Sequence, residues 1–401
     1  MTAYIIIGNG PAGNAAAESI RRYDQEGVIR IFSRENLPFY YVPALPEYVA
    51  GEKELKDIIL HDRPWYEQHK IDLHLAATVT AIDPEEKTVT TDQGGRFHYD
   101  KLLLATGSNS FVPPLPGSEL PGVMTLRTVA DAEKIKNWAQ RSRQAVLIGG
   151  GLLGLEAGNA LRKLGLKVSV VEFFPRLLPR QMDEPGAAML QQVMEKMGFT
   201  FYLGAKTQEI SQERNRLRVI LAGGEKIPAD LVLISAGVRP ELTLAKALGL
   251  DLDKGVRVDD HLQTSLRDIY AAGDLVEHRG RVYGIWPAAM EQGRVAGANM
   301  AGQRLIYEGT LPSNVLKVVG IDLMAAGEID AEGRLEAVVF KDEARGVYRK
   351  VVIKDEVIIG LILFGDMRGS RELQAAMKTR RDISSVKAAL ARPDFDFSSL
   401  S

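Results

Sequence analysis

The stretch "IIIGNGPAG", residues 5–13, decides the fold. An apolar run leads into three glycines spaced G-x-G-x-x-G, and a helical pattern follows over residues 15–22. Residues 28–32 then read as a second strand. In such a strand–turn–helix unit, the first amides of the helix and the positive end of its dipole point at a ligand. The first glycine makes the turn, the second lets the backbone approach a pyrophosphate, and the third lets helix and strand pack closely. Glycines also make ordinary tight turns, so one copy is a weak signal. This chain carries two. "LIGGGLLG", residues 147–154, lies between a predicted strand at 145–148 and a helical pattern running to Leu164. A further strand at 167–171 ends on Glu172. Two nucleotide turns on one chain imply electrons passing between two cofactors.

A carboxylate at the end of the second strand bonds a ribose diol and repels a 2′-phosphate. Glu172 fills that place in the second unit. Arg176 and Arg180, in "EFFPRLLPR", oppose this preference if they face the ligand. In the first unit, "FSRENLPFY" offers Glu35, with Arg34 before it.

The bulk composition is that of an ordinary globular chain. It has 401 residues, 45% apolar and 25% charged, with a net charge of −2. That length suggests two to three domains, and the charge gives no bulk reason to expect nucleic acid or an anionic membrane as partner. There are no cysteines, which excludes disulfides, thiolate zinc sites, cysteine-held iron–sulfur clusters and a thiol nucleophile. The six histidines show no metal-ligand spacing, so no metal site is expected. "MTAYIIIGNG" has no signal-peptide character, and no run approaches the ~18 apolar residues of a membrane span. The expectation is a cytoplasmic enzyme that does not enter the membrane.

Proline-rich "SFVPPLPG" and the stretch at 237–240 look like crossovers out of and back into the first domain. After Thr310 the texture changes to strands at 315–319, 337–340, 348–353 and 357–364, then helical patterns at 371–378 and 384–390. The expected class is α/β: two doubly wound, Rossmann-like nucleotide-binding domains and a small α+β C-terminal domain. The boundaries read as 1–110 with 243–313, 111–242, and 314–401.

At this point the sequence resembles the FAD-dependent pyridine-nucleotide oxidoreductases of the glutathione-reductase-like fold. The resemblance rests on "GNGPAG", "LLLATGS" (102–108), "IGGGLLGLEAG" (148–158), "AGVRP" (236–240) and "IYAAGD" (269–274). "PRLLPRQMD" and "PAAMEQGRVAGANMAG" look closest to NADH:rubredoxin reductases and the flavin portion of NAD(P)H nitrite reductases. The resemblance implies FAD held by Gly8, Gly10, Pro11, Ala12, Gly13 and Glu35. Ala105, Thr106 and Gly107 would pass beside the FAD, and Asp274, with Gly273, would meet its ribityl chain. The helix opening at Pro287 would aim the Ala288 and Ala289 amides at the flavin N1–O2 edge, where a helix N-terminus stabilises negative charge. NAD(H) would lie on Gly149, Gly151, Leu152, Leu153, Gly154, Glu172 and Gly237. Glu156 is the implied catalytic residue, near the nicotinamide and flavin N5.

The sequence departs from the family where many relatives carry a redox cysteine. "FYYVPALPEY", residues 39–48, has none. An arginine common after the tyrosine pair is Val42, and a lysine common in the next turn is replaced by Pro46 and Glu47. Disulfide-reductase and peroxidase chemistry is therefore excluded. Tyr40, Tyr41, the prolines and Trp286 are expected to wall the flavin. The implied function is electron transfer between NADH/NAD and an iron–sulfur protein: rubredoxin, ferredoxin, or an iron–sulfur subunit of a larger dehydrogenase complex. The chain would act as a homodimer or within a hetero-oligomer. A cysteine-free NADH oxidase or quinone reductase, or a FAD/NADH-dependent redox sensor, are the alternatives. Arg368, Arg371, Lys378, Arg380, Arg381 and Lys387 form a basic tail that suits an acidic carrier.

Overall fold

The computed structural model describes residues 1–214, 216–310 and 313–400. Its chain divides into two units, Met1–Val42 with Glu54–Asn109 and Val238–Thr310, and Pro43–Lys53 with Ser110–Gly237 and Leu311–Ser401.

In the first unit the apolar run Ala3–Ile7 is flanked on both sides by equally apolar strands. The parallel order is Ile269–Ala271, Lys101–Leu104, Ala3–Ile7, Val28–Phe32, Ile71–His74. Continuous apolar strands of this kind are buried on both faces. Helix Pro11–Tyr23 leaves the central strand through the first glycine turn. It packs along helix Trp286–Met300 at a spacing only small residues allow. A Cβ on Gly293 would lie 2.2 Å from the Ala12 carbonyl oxygen, and one on Gly297 would lie 2.3 Å from that of Ala16. The contacts advance together along both helices, so the two run parallel and both N-termini face the same end of the sheet.

The second unit repeats the pattern. Its parallel order is Thr200–Leu203, Lys167–Glu172, Gln144–Ile148, Leu231–Ile234, Val123–Met124, with helix Leu152–Lys163 leaving the central strand. The C-terminal part of this unit is a five-stranded antiparallel sheet in the order Ser313–Val318, Ile321–Gly327, Val357–Phe364, Val347–Lys354, Glu336–Asp342. Helix Ser370–Thr379 covers its apolar face through Leu373, Ala376 and Met377.

Two local differences from the sequence reading have physical causes. The helical pattern at 384–390 forms only a 3₁₀ turn, Lys387–Ala391. The Arg349 guanidinium, lying over Phe340 and Phe397, donates to the Leu390 and Arg392 carbonyls at 2.8 and 2.7 Å. Pro393 then forces Arg392 into extended backbone. The stretch 39–48 also splits. Phe39 to Val42 stay in the first unit, while Pro43–Lys53 belong to the second. There Tyr48 hydrogen-bonds Glu133 and lies under Lys136, and Lys163 pairs with Glu52 at 2.5 Å.

Candidate functional site

The two glycine turns are built alike. Gly8 (φ +120°) and Gly149 (φ +117°) occupy backbone that only glycine adopts readily. A Cβ on Gly8 would sit 2.1 Å from the Ala105 carbonyl oxygen, and one on Gly149 would sit 2.2 Å from that of Ser235. The third glycines are as tightly enclosed, Gly13 by the Gly8 carbonyl at 2.0 Å and Gly154 by the Gly149 carbonyl at 2.6 Å. The middle glycines differ. Among the described residues, no atom lies within 4 Å of a Cβ placed on Gly10 or Gly151. The outer glycines serve the fold, and the middle pair keep a face open.

Capping tells the same story. Five of the described helices have eleven residues or more. Thr128 and Asp183 cap two of them with side-chain oxygens. The other three, opening at Pro11, Leu152 and Trp286, have no side-chain cap. Their first amides have no partner within the helix. The internal ladder begins at Asn14 (to Gly10 O), Leu155 (to Gly151 O) and Ala289 (to Ile285 O). Ala12 and Gly13, Leu152, Leu153 and Gly154, and Ala288 therefore offer donors at the helix mouths. The Ala289 amide is used within its own helix.

Around the first turn, buried Asn14 donates to the Asn9 and Gly10 carbonyls and to Asn9 Oδ1 at 3.1, 3.0 and 2.9 Å. Tyr66 Oη lies 2.9 Å from Asn9 Oδ1 and 2.8 Å from Asn14 Oδ1. Burial pushes the Tyr66 phenol up to about 12. His61 Nδ1 also approaches Asn14 Oδ1, at 3.2 Å, and burial lowers that imidazole to about 4. Asn14 Nδ2 touches two carbonyls, which can only accept, so its orientation is fixed. That in turn fixes Asn9 and leaves the buried Asn9 Nδ2 without a partner among the described residues. Sequence reasoning missed Asn9, Asn14 and Tyr66. The one available signal was an asparagine inside "GPAGNAAA".

The other first-unit residues predicted from the sequence make contacts within their own unit. Glu35 accepts from Tyr40 Oη at 2.8 Å. Thr106 donates to the Glu241 carbonyl at 3.0 Å, and Gly107 O accepts from the Glu241 amide at 2.9 Å. Asp274 accepts from Ser108 Oγ at 2.7 Å. The Gly273 amide donates to buried Gln292 at 2.8 Å. At the mouth of the Trp286 helix, Phe39 stacks on Trp286 (centroids 5.6 Å, 12°) and exposed Tyr41 meets its edge (5.0 Å, 74°). Phe39 and Tyr40 are both buried, and Tyr41 is exposed.

At the second turn the grip is a carboxylate. Buried Glu172 accepts from the Gly150 amide at 2.6 Å and the Phe174 amide at 2.8 Å. Arg176 turns away, bonding the Pro179 and Met182 carbonyls and Glu332, while Arg180 is exposed. The Gly237 carbonyl accepts from Phe111 at 2.8 Å. Glu156, on the turn helix, accepts from the Val319 amide at 2.6 Å. Burial raises its carboxyl above the usual range; the Val319 amide and Lys163 oppose this, and Glu47 and Glu52 add to it. In the tail, Arg368 pairs with Asp366 and Lys387 with Glu336 and Glu356.

Residues 2–293 match the pyridine nucleotide-disulphide oxidoreductase family, and residues 312–381 match the rubredoxin NAD+ reductase C-terminal domain. An assimilatory nitrate reductase electron transfer subunit of Bacillus subtilis is 37% identical over 97% of this chain, which spans 51% of that protein's length. An NADH-rubredoxin oxidoreductase of Clostridium acetobutylicum is 32% identical over 97% of this chain and 98% of its own. The solved ferredoxin reductase of Rhodopseudomonas palustris superposes with a TM-score of 0.91 at 25% identity, covering 100% of this chain and 99% of its own. The cofactors of such a chain are FAD and NAD(H). The residues present fit them: each turn has an open middle glycine and an uncapped helix, and the first has a buried unpaired amide donor.

Proposed function

This chain belongs to the pyridine nucleotide-disulphide oxidoreductase family, and on that premise we propose that it transfers electrons between NADH/NAD⁺ and an iron–sulfur protein. The observation that carries the reading is a near-full-length match to an NADH-rubredoxin oxidoreductase in a chain without cysteine. Bound FAD would supply the exchange between two-electron and one-electron transfer.

The chain's own residues supply binding and placement. Gly8, Gly10 and Gly13, with the Pro11–Gly13 helix mouth, hold the FAD pyrophosphate, and Glu35 meets its ribose. Ala105, Thr106 and Gly107 line its path, and Asp274 with Gly273 takes the ribityl chain. The Ala288 amide, at an uncapped helix end, stabilises negative charge at the flavin edge. Phe39, Tyr41 and Trp286 exclude water there. Gly149, Gly151, Gly154 and Gly237, with Leu152 and Leu153, seat NAD(H). Glu172 orients its ribose, and because Arg176 is bound to Glu332 the chain favours NADH over NADPH. Glu156 acts beside the nicotinamide. The same proposal assigns residues 1–110 and 243–313 to FAD, 111–242 to NAD and 314–401 to the carrier.

The carrier is an acidic iron–sulfur protein or subunit, and the chain works as a homodimer or within a larger complex. Among the described residues no helix is long and apolar enough to cross a membrane, and the proposed compartment is the cytoplasm. The test is anaerobic. NADH should bleach the flavin without a thiolate charge-transfer band, and an iron–sulfur acceptor should reoxidise it faster than O₂ does. Fast reoxidation by O₂ with peroxide release would instead establish an oxidase, and very slow reduction a sensor. Acceptor turnover should fall with salt as the Debye length shortens from ~10 Å at 0.1 M to ~3 Å at 1 M. Exchanging Arg380 and Arg381 for Glu should flatten that dependence.

A further inference from the structure

The C-terminal sheet carries a buried cation that the electron-transfer chemistry does not use. Lys350, in strand Val347–Lys354, is 4% exposed. Its ammonium lies 3.2 Å from Asp183 and 3.7 Å from Asp330, and donates to the Asp330 carbonyl at 2.6 Å. Both carboxylates are themselves buried. Tyr348 adds a hydroxyl donor to Asp183 at 2.6 Å. Burial opposes the charge on Asp330, but the Arg334 and Leu335 amides and Lys350 outweigh it and hold its carboxyl below the usual range. A buried ion cluster of this kind adds little net stability over a well-packed apolar one. What it fixes is position.

The position it fixes belongs to the second glycine turn. Asp183 caps the helix Glu184–Lys196 and closes the loop that begins after Glu172. The near end of that loop grips the turn. The Leu178 amide donates to the Gly150 carbonyl at 3.1 Å, while Glu172 holds the Gly150 amide. Leu177 and Leu178 are fully buried, and Leu178 sits at φ +48°. The loop is tied to the C-terminal segment twice, at its far end by Lys350 through Asp183 and earlier by Glu332 through Arg176 at 3.2 Å. A third tie runs from the Val319–Gly320 hairpin to Glu156. We infer that Lys350 is a positioning residue for the nicotinamide nucleotide: through Asp183 and the 173–182 loop it sets Gly150 and Glu172. The inference rests on the reading that this turn binds NAD(H).

Lys350→Met alone would leave two carboxylates facing each other, so the decisive variant is Lys350→Met with Asp330→Asn. Flavin reduction by NADH is followed by stopped flow in the full chain, with FAD content and Tm measured alongside. Losing one charged contact to the loop should raise the half-saturating NADH concentration about tenfold, while the limiting reduction rate and FAD content stay unchanged. Tyr348→Phe, which keeps the ion cluster, should give a smaller rise of the same kind, and it carries the test if the double variant does not fold. An unchanged half-saturating concentration in a folded variant overturns the inference and makes the cluster a structural staple. Gly151→Val is measured in parallel. If it leaves NADH reduction intact, the nucleotide does not bind at this turn and the functional reading fails as well. If it abolishes reduction while the Lys350 variants match wild type, only the positioning inference fails.

Discussion

At the first glycine turn the polar grip is made of neutral groups, Asn14, Asn9 and Tyr66, whereas at the second it is a single carboxylate, Glu172. The neutral grip holds the turn from behind and leaves one donor, Asn9 Nδ2, unspent. Its geometry does not depend on the ligand's charge. Glu172 holds the Gly150 and Phe174 amides, and in the proposed reading the same carboxylate also meets the ribose of NAD(H). A turn with a permanent internal clamp suits a cofactor that stays. A turn whose clamp is shared with the ligand suits one that comes and goes. Same backbone, same glycine spacing and same sheet order thus carry two different polar grips.

The largest expected effect separates the glycines within a turn. Gly8→Val should fail to fold, since its Cβ meets the Ala105 carbonyl at 2.1 Å on φ +120° backbone. Gly10→Val should fold, by circular dichroism, and lose nearly all FAD. A Gly10→Val protein with full FAD would break the reading of the open middle glycine. Next, Glu172→Gln should raise KM for NADH about 10-fold or more, as expected for a lost charge-assisted bond, and narrow the discrimination against NADPH. FAD content should not change. A clear NADPH preference in the wild type would mean Arg180 governs the site.

A smaller effect sharpens the contrast from the other side. Asn14→Ala frees the Asn9 and Gly10 carbonyls and costs about 1–3 kcal/mol. It should weaken FAD binding in apoprotein titrations and leave KM for NADH alone. The smallest concerns pH. The Glu156 carboxyl is raised in the fold, so its contribution to stability is present below its ordinary value and is lost as pH rises through the raised one. Glu156→Gln should remove that slope from a plot of Tm against pH. A wild-type Tm that already shows no slope there would mean the carboxylate is not disfavoured in the fold.

Both turns were legible because glycine spacing and strand-end acidity are local, and Glu172, Gly10 and Gly151 follow from them directly. Trp286 is singled out in "YGIWPAAM", and it stands as the first residue of helix Trp286–Met300. Asn14 and Tyr66 were not, since they meet 52 positions apart and no spacing rule links them. Lys350 was equally hidden: a lysine in "VYRKVVIK" reads as a solvated strand residue until its two carboxylates arrive from elsewhere in the chain. The contacts of Pro43–Lys53 were hidden for the same reason, as its partners Glu133 and Lys163 lie far along the sequence.

The packing of helix Pro11–Tyr23 on helix Trp286–Met300 bears on the order in which the protein assembles. Ser19 bonds the carbonyl of Arg294, 275 positions away, and strand Lys101–Leu104 waits for Ile269–Ala271 as its neighbour. The parallel sheet of the second nucleotide fold draws all its strands from residues 123–234. On the ribosome, where chains emerge N-terminus first, the second fold therefore has its whole sheet before the first has its last strand. The turn that is translated first is completed last. A chain halted before residue 286 would display the Ala12–Ala16 ridge without the helix that packs on it.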